Sequence, residues 1–131
     1  MSGFAYGYTQ SAKLAAPELS LEVLSPASNE RRQEVICVVD TGACASCIPQ
    51  VIVKSLDLKD YRRRQISWGD GRVTSQNLYA VDLAFGEVVL RDVWVLATEK
   101  EYGLIGRDIL NKYRLLCDGP SRVWSVEPRW R

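Results

Sequence analysis

The sequence predicts a single, mainly β domain, and three observations lead there. Apolar residues alternate with polar ones over short runs, as at Leu19, Leu21, Val23 and again at Val81, Leu83, Phe85, which is the two-residue period of a strand with one buried face. Turn-forming clusters punctuate these runs at Ser25-Pro26-Ala27-Ser28-Asn29-Glu30, Gly69-Asp70-Gly71, Gly86-Glu87 and Asp118-Gly119-Pro120. With 131 residues, 47% hydrophobic and 25% charged, the chain has the size of one domain and can bury a sizeable core.

In order along the chain, residues 1–17 form an N-terminal arm, in which the alternation of Phe4, Tyr6 and Tyr8 suits an edge strand and Ser11 to Pro17 a loop. The core is expected over 18–127. Leu19, Leu21 and Val23 lie on the first core strand, and Glu34 to Val39 pairs back on it after the turn. Val35, Ile36, Cys37, Val38 and Val39 include no polar residue, so this strand is expected to be buried on both faces. Ile48-Pro49 followed by Val51, Ile52 and Leu56 predicts a short helix with proline in its first turn, where a missing N–H costs nothing. Arg62-Arg63-Arg64 reads as a solvated strand edge. Gln65 to Thr74 is a hairpin about Gly69-Asp70-Gly71, because glycine supplies the positive φ of a tight turn. Leu78 to Phe85 and Val88 to Leu96 form a second hairpin, Arg107 to Tyr113 a short helix, and Arg114 to Cys117 with Arg122 to Val126 a last hairpin. Pro128 ends that strand, which leaves 128–131 as a solvated tail.

Composition removes several classes of function. Net charge is +1, from 17 basic and 16 acidic residues, so nothing calls for a nucleic acid or an anionic membrane as partner. The start lacks a basic segment followed by an apolar one, and no apolar run would span a bilayer, so a soluble, cytoplasmic protein is expected. Histidine is absent, which excludes Ser-His and Cys-His catalysis and removes the commonest metal ligand. The four cysteines, Cys37, Cys44, Cys47 and Cys117, are expected as free thiols, and no cofactor is implied.

The remaining chemistry concentrates at Asp40. An apolar strand ends there on Asp40-Thr41-Gly42-Ala43, and a carboxylate emerging from the interior is costly unless hydrogen-bonded; the Thr41 hydroxyl and the unobstructed Gly42 N–H stand where they can do that. This motif, followed by Ser46 and Ile48 and much later by Leu104-Ile105-Gly106-Arg107-Asp108-Ile109-Leu110, resembles the retropepsin-like aspartic proteases, the single-domain relatives of retroviral proteases. The likeness runs from about Leu19 to Glu127.

The resemblance implies a closed β fold with one short helix near the C-terminal end. It gives Asp40, Thr41 and Gly42 the catalytic roles and makes the Gln65–Thr74 hairpin a flap, with Trp68, Gly69, Asp70 and Gly71 over the substrate. Ala43, Cys44, Cys47 and Ile105 would line the peptide groove. Such chemistry needs two carboxylates, yet the chain has a single Asp-Thr-Gly, so a second identical chain must supply the other in a symmetric homodimer acting on a peptide or protein. Phe4, Tyr6, Tyr8, Trp124 and Trp130 crowd the two chain ends, which makes the strand at Val123 to Val126 the expected interface.

Two departures leave alternatives open. Many retroviral members carry an acid directly after Asp-Thr-Gly-Ala, where it pairs with the arginine of the Gly-Arg motif; here that position is Cys44, and Arg107 lacks its usual partner. Cys44-Ala45-Ser46-Cys47 is also a C-x-x-C, the seed of a redox pair or, with Cys37 and Cys117, of a zinc site. A dimer that binds peptides without cleaving them is the other alternative, since an intact Asp-Thr-Gly is necessary rather than sufficient.

Overall fold

In a computed structural model, which describes residues 4–8 and 16–128, the chain folds into ten strands and two short helices. Of the expected tail at 128–131, Pro128 instead closes the last strand, paired with Tyr113, and 129–131 lie outside the described residues, as does most of the loop before Pro17. Strands β2 (Glu18–Ser25) and β3 (Ser28–Val39) form an antiparallel hairpin whose turn needs only Pro26 and Ala27. After the Asp40 turn come β4 (Cys47–Pro49) and α1 (Gln50–Ser55), the helix expected behind Pro49. Then follow β5 (Asp60–Ser67), β6 (Val73–Phe85), β7 (Val88–Thr98) and β8 (Gly103–Ile105).

These strands form one sheet in the order β2-β3-β8-β4-β7-β6-β5, and β2 pairs again with β6, so the sheet closes on itself and leaves β5 outside the ring. The thirteen-residue β6 serves two hairpins at once. Its first half pairs with β5 below the Gly69-Asp70-Gly71 tip, and its second half pairs with β7 across Gly86, which takes the positive φ of 57° that a tight turn demands.

Closure directs one face of every ring strand inward. Val23, Val81 and Val95 are fully buried there, each stabilising the fold by about 1.5–3 kcal/mol through lost apolar surface. The expectation that β3 is buried on both faces is not met: Val35, Cys37 and Val39 point into the core, whereas Ile36 is 45% exposed. Strand pairing fills the edges of β3 and the core covers one face; among the described residues no second layer lies over the other. Two acidic residues, Glu18 and Asp82, join the interior. Asp82, 4% exposed, sits where β6 shifts register against β7 and binds the Asn29 amide, the Arg91 guanidinium and the backbone N–H of Asp92 at 3.0–3.1 Å. Burial alone would raise its pKa, but these donors outweigh it and hold the carboxyl below its usual range.

The helix expected over 107–113 is shorter, a single turn α2 (Arg107–Leu110), because Tyr113 already begins β9 (Tyr113–Asp118). Strand β9 turns into β10 (Val123–Pro128), and β1 (Phe4–Gly7) pairs on the other side of β10, giving a separate sheet β1-β10-β9. The strand at Val123 to Val126, expected to pair with a second chain, is instead paired within its own. Both edges of β10 are taken within its own chain, and Trp124, 2% exposed, stacks on Tyr6 at 4.6 Å and donates its indole N–H to the Glu18 carbonyl. A strand with both hydrogen-bonding edges filled offers no ladder to a partner. Trp124 belongs to the core of its own subunit, together with Val126.

Candidate active site

Asp40 follows β3 without a break, and its position is set from behind by β8. The two strands run parallel with Val39 opposite Ile105, and the Asp40 N–H donates to the Ile105 carbonyl at 3.0 Å. The chain then turns: the Ala43 N–H donates to the Asp40 carbonyl at 3.2 Å, and the Gly42 N–H donates to Asp40 Oδ1 at 2.8 Å. The expected backbone donor is therefore present. The Thr41 hydroxyl makes no hydrogen bond among the described residues, and Thr41 and Gly42 are exposed, so the outer side of the turn is open.

A second layer clamps this turn. Gly106 lies so close beneath it that a Cβ there would come within 2.8 Å of the Ala45 carbonyl carbon and 2.9 Å of the Ala43 carbonyl oxygen. From α2, the Arg107 N–H donates to the Ala43 carbonyl, and its guanidinium donates to the Thr41 carbonyl, both at 2.8 Å. With Cys44 in place of an acid, Arg107 holds the Asp40 turn by its backbone instead of through an ion pair. Ser46 and Asp108 complete the clamp, a pair that the sequence did not disclose. Ser46 Oγ donates to Asp108 Oδ1 at 2.7 Å and accepts from the Gly106 N–H at 2.9 Å, while the Ser46 N–H donates to Asp108 Oδ2 at 3.0 Å. The signal available was that Ser46 and Asp108 each stand in one of the two motifs that carry the resemblance, without any sign that they meet.

The hairpin from β5 to β6 forms as expected and reaches over this turn. Its tip is self-contained: Trp68 and Arg72 exchange a backbone bond, Gly71 takes a φ of 88°, and Asp70 pairs with Arg72 at 2.7 Å. The Trp68 indole donates to the Thr74 hydroxyl at 2.7 Å. Between tip and turn lies a cavity of about 460 Å³ that brings Gly42, Ala43, Cys44, Cys47, Trp68 and Gly69 together. Of the other expected groove residues, Asp70 and Gly71 do not line it, and Ile105, 6% exposed, packs in the core and meets Asp40 through its carbonyl.

The thiols are dispersed. Cys44 is exposed and Cys47 buried, although both line the cavity under the hairpin, and Cys117 is exposed on the other sheet. Burial, reinforced by the nearby Cys47, pushes the Cys37 thiol up to about 12, and burial raises Cys47 too, so neither is poised as a thiolate. Among the described residues no three metal-ligating side chains gather.

A family described as "gag-polyprotein putative aspartyl protease" matches residues 29–112. No curated protein matches the chain in sequence. Among solved structures, the chain is similar to a retropepsin-like aspartic protease from Rickettsia conorii, with a TM-score of 0.61 at 12% identity over 95% of this chain and 89% of that one. It is also similar to the EIAV protease complexed with the inhibitor HBY-793, with a TM-score of 0.56 at 17% identity over 81% of this chain and 92% of the other. At such identities the likeness is one of fold.

Proposed function

We propose, for a chain that belongs to the gag-polyprotein aspartyl protease family, that it is an aspartic endopeptidase whose site is assembled from the Asp40 turns of two identical subunits. The observation that carries this reading is the Asp40 turn itself. It is clamped from within by β8, Arg107 and the Ser46–Asp108 pair, open outward at Thr41 and Gly42, and roofed by a glycine-tipped hairpin above a cavity of about 460 Å³.

One turn supplies one carboxyl, so a two-fold axis passing between two such turns completes the pair. Two carboxyls that close share one proton. The ionised Asp40 takes a proton from a water as the water oxygen bonds to the scissile carbonyl carbon, while the protonated Asp40 of the facing subunit hydrogen-bonds the carbonyl oxygen. Proton return to the amide nitrogen then lets the C–N bond break, with no covalent intermediate. The Thr41 hydroxyl, unengaged among the described residues, serves in this reading to bond across the axis and hold the two carboxyls coplanar. The hairpin bearing Trp68 and Gly69 acts as the flap that excludes water.

The test is incubation of the pure protein with a diverse peptide mixture from acidic to neutral pH, with and without a transition-state mimic of aspartic proteases. Cleavage that the mimic blocks is expected, and Asp40→Asn should lose it by at least about a hundredfold while folding normally, because an amide neither shares the proton nor activates water. Cleavage at the wild-type rate by the pure variant would refute the assignment.

A further inference from the structure

Beyond the cavity under the hairpin tip, the groove continues into a second one of about 570 Å³, and the two share Cys44 and Ala45 in the floor and Ile66 and Ser67 in the roof. The strand β5 that forms this roof carries Arg62-Arg63-Arg64. Two-residue alternation divides them: Arg63 turns away to bond Ser75 and Asn77, whereas Arg62 and Arg64 line the cavity. All three are exposed on the edge strand of the sheet, as expected, but Arg62 and Arg64 in addition face a groove.

Arg62 is held in place by Trp94 of β7, with its guanidinium carbon 5.9 Å from the ring centroid. Among the described residues, neither Arg62 nor Arg64 has a carboxylate within ion-pair distance. The one acid in the cavity wall is Asp108, and its oxygens are already occupied by two Ser46 donors and the Ile109 N–H. Position 44, where an acid would have countered these charges, is an exposed cysteine. The inner cavity adds Lys100, which bonds only neutral oxygen, whereas its other cation, Arg72, is neutralised by Asp70. Away from the Asp40 turn, the charge lining the two cavities is thus net positive, with Arg62, Arg64 and Lys100 set against Asp108.

We infer that Arg62 and Arg64 form an acid-selecting subsite, so that this protein prefers peptides carrying Glu or Asp at positions outside those that flank the scissile bond. The inference rests on the endopeptidase reading above and names its substrate class. Two guanidiniums two residues apart on one strand offer a fork of N–H donors to one carboxylate, and Trp94 pre-orders the nearer of them. Because a symmetric dimer carries the subsite twice, acidic residues are selected on both sides of the cleaved bond.

The experiment compares peptides that differ at one position at a time in Glu, Gln or Lys, measuring kcat/KM with the wild type and with the Arg62→Gln/Arg64→Gln double variant. The wild type should favour Glu over Gln about tenfold at the outer positions, chiefly through KM, with the ratio shrinking as salt is raised. In the double variant the ratio should fall to about one, and Arg64→Glu should shift preference toward Lys. Equal rates for Glu and Gln at every position, or a preference that survives the double substitution, would overturn the subsite while leaving the protease reading intact. Binding of the same Glu and Gln peptides to Asp40→Asn by fluorescence anisotropy separates the two ideas. Tighter binding of Glu peptides in a protein whose wild type cleaves nothing would uphold the subsite and refute the protease.

Discussion

Replacing Ser46 by alanine removes one hydroxyl that serves two elements at once. Its donor bond to the charged Asp108 is 2.7 Å long, and bonds of that kind contribute about 1.5–3 kcal/mol; its acceptor bond satisfies the buried Gly106 N–H, and orphaning such a group costs about 1–3 kcal/mol more. Asp108 keeps the Ser46 and Ile109 backbone donors and reaches solvent, so the low end of the sum applies, about 3 kcal/mol. In a chain of this size that lowers Tm by about 10 °C. Urea unfolding at one fixed protein concentration measures it, since association would otherwise shift the midpoint. Asp108→Ala and the double variant complete a cycle, in which the double loss should fall short of the summed single losses by about 1 kcal/mol or more. A Ser46→Ala protein within about 0.5 kcal/mol of wild type, or strictly additive losses, would show that the pair does not clamp the Asp40 turn as described.

Two further outcomes follow from the packing behind the site. Gly103→Ala places a Cβ 2.6 Å from Cys37 Sγ and 2.8 Å from the Cys47 carbonyl oxygen, which wedges β8 away from β3 and β4; a loss of about 3 kcal/mol is expected by urea unfolding, only partly relieved by adding Cys37→Ala because the carbonyl cannot yield, and an unshifted midpoint would contradict the contact. For Asp82, a folded-state pKa below the unfolded value of about 3.9 means stability that is present above that value and lost as pH falls through the folded one. Asp82→Asn should therefore cost about 1–3 kcal/mol at neutral pH and narrow toward wild type below about pH 4, whereas parallel stability curves for the two proteins across that range would refute the role.

Much of this protein follows from local pattern. Period-two alternation located the strands, glycine and proline clusters located the hairpin tips, and Pro49 marked the start of α1, because each depends on backbone preferences expressed within a few residues. Asp40-Thr41-Gly42 was legible for the same reason: the donor that holds the carboxylate lies two residues away. What depended on distant partners was not legible. Ile36 has the apolar character of its neighbours, and only the absence of a covering layer leaves it exposed. Trp124 has the look of an end residue seeking a partner, and only the arrival of β1 beside β10 turns it into core. Ser46 and Asp108, 62 positions apart, meet because β8 runs parallel to β3 and delivers Gly106 beneath the Asp40 turn. Arg62 and Arg64 separate from Arg63 only when β5 becomes the roof of a groove that has an inside. The sequence by itself determined which segments are strands and which residue carries the carboxylate; the tertiary structure alone decided what faces what, because the closing of the ring joins segments whose contact energies no local window contains.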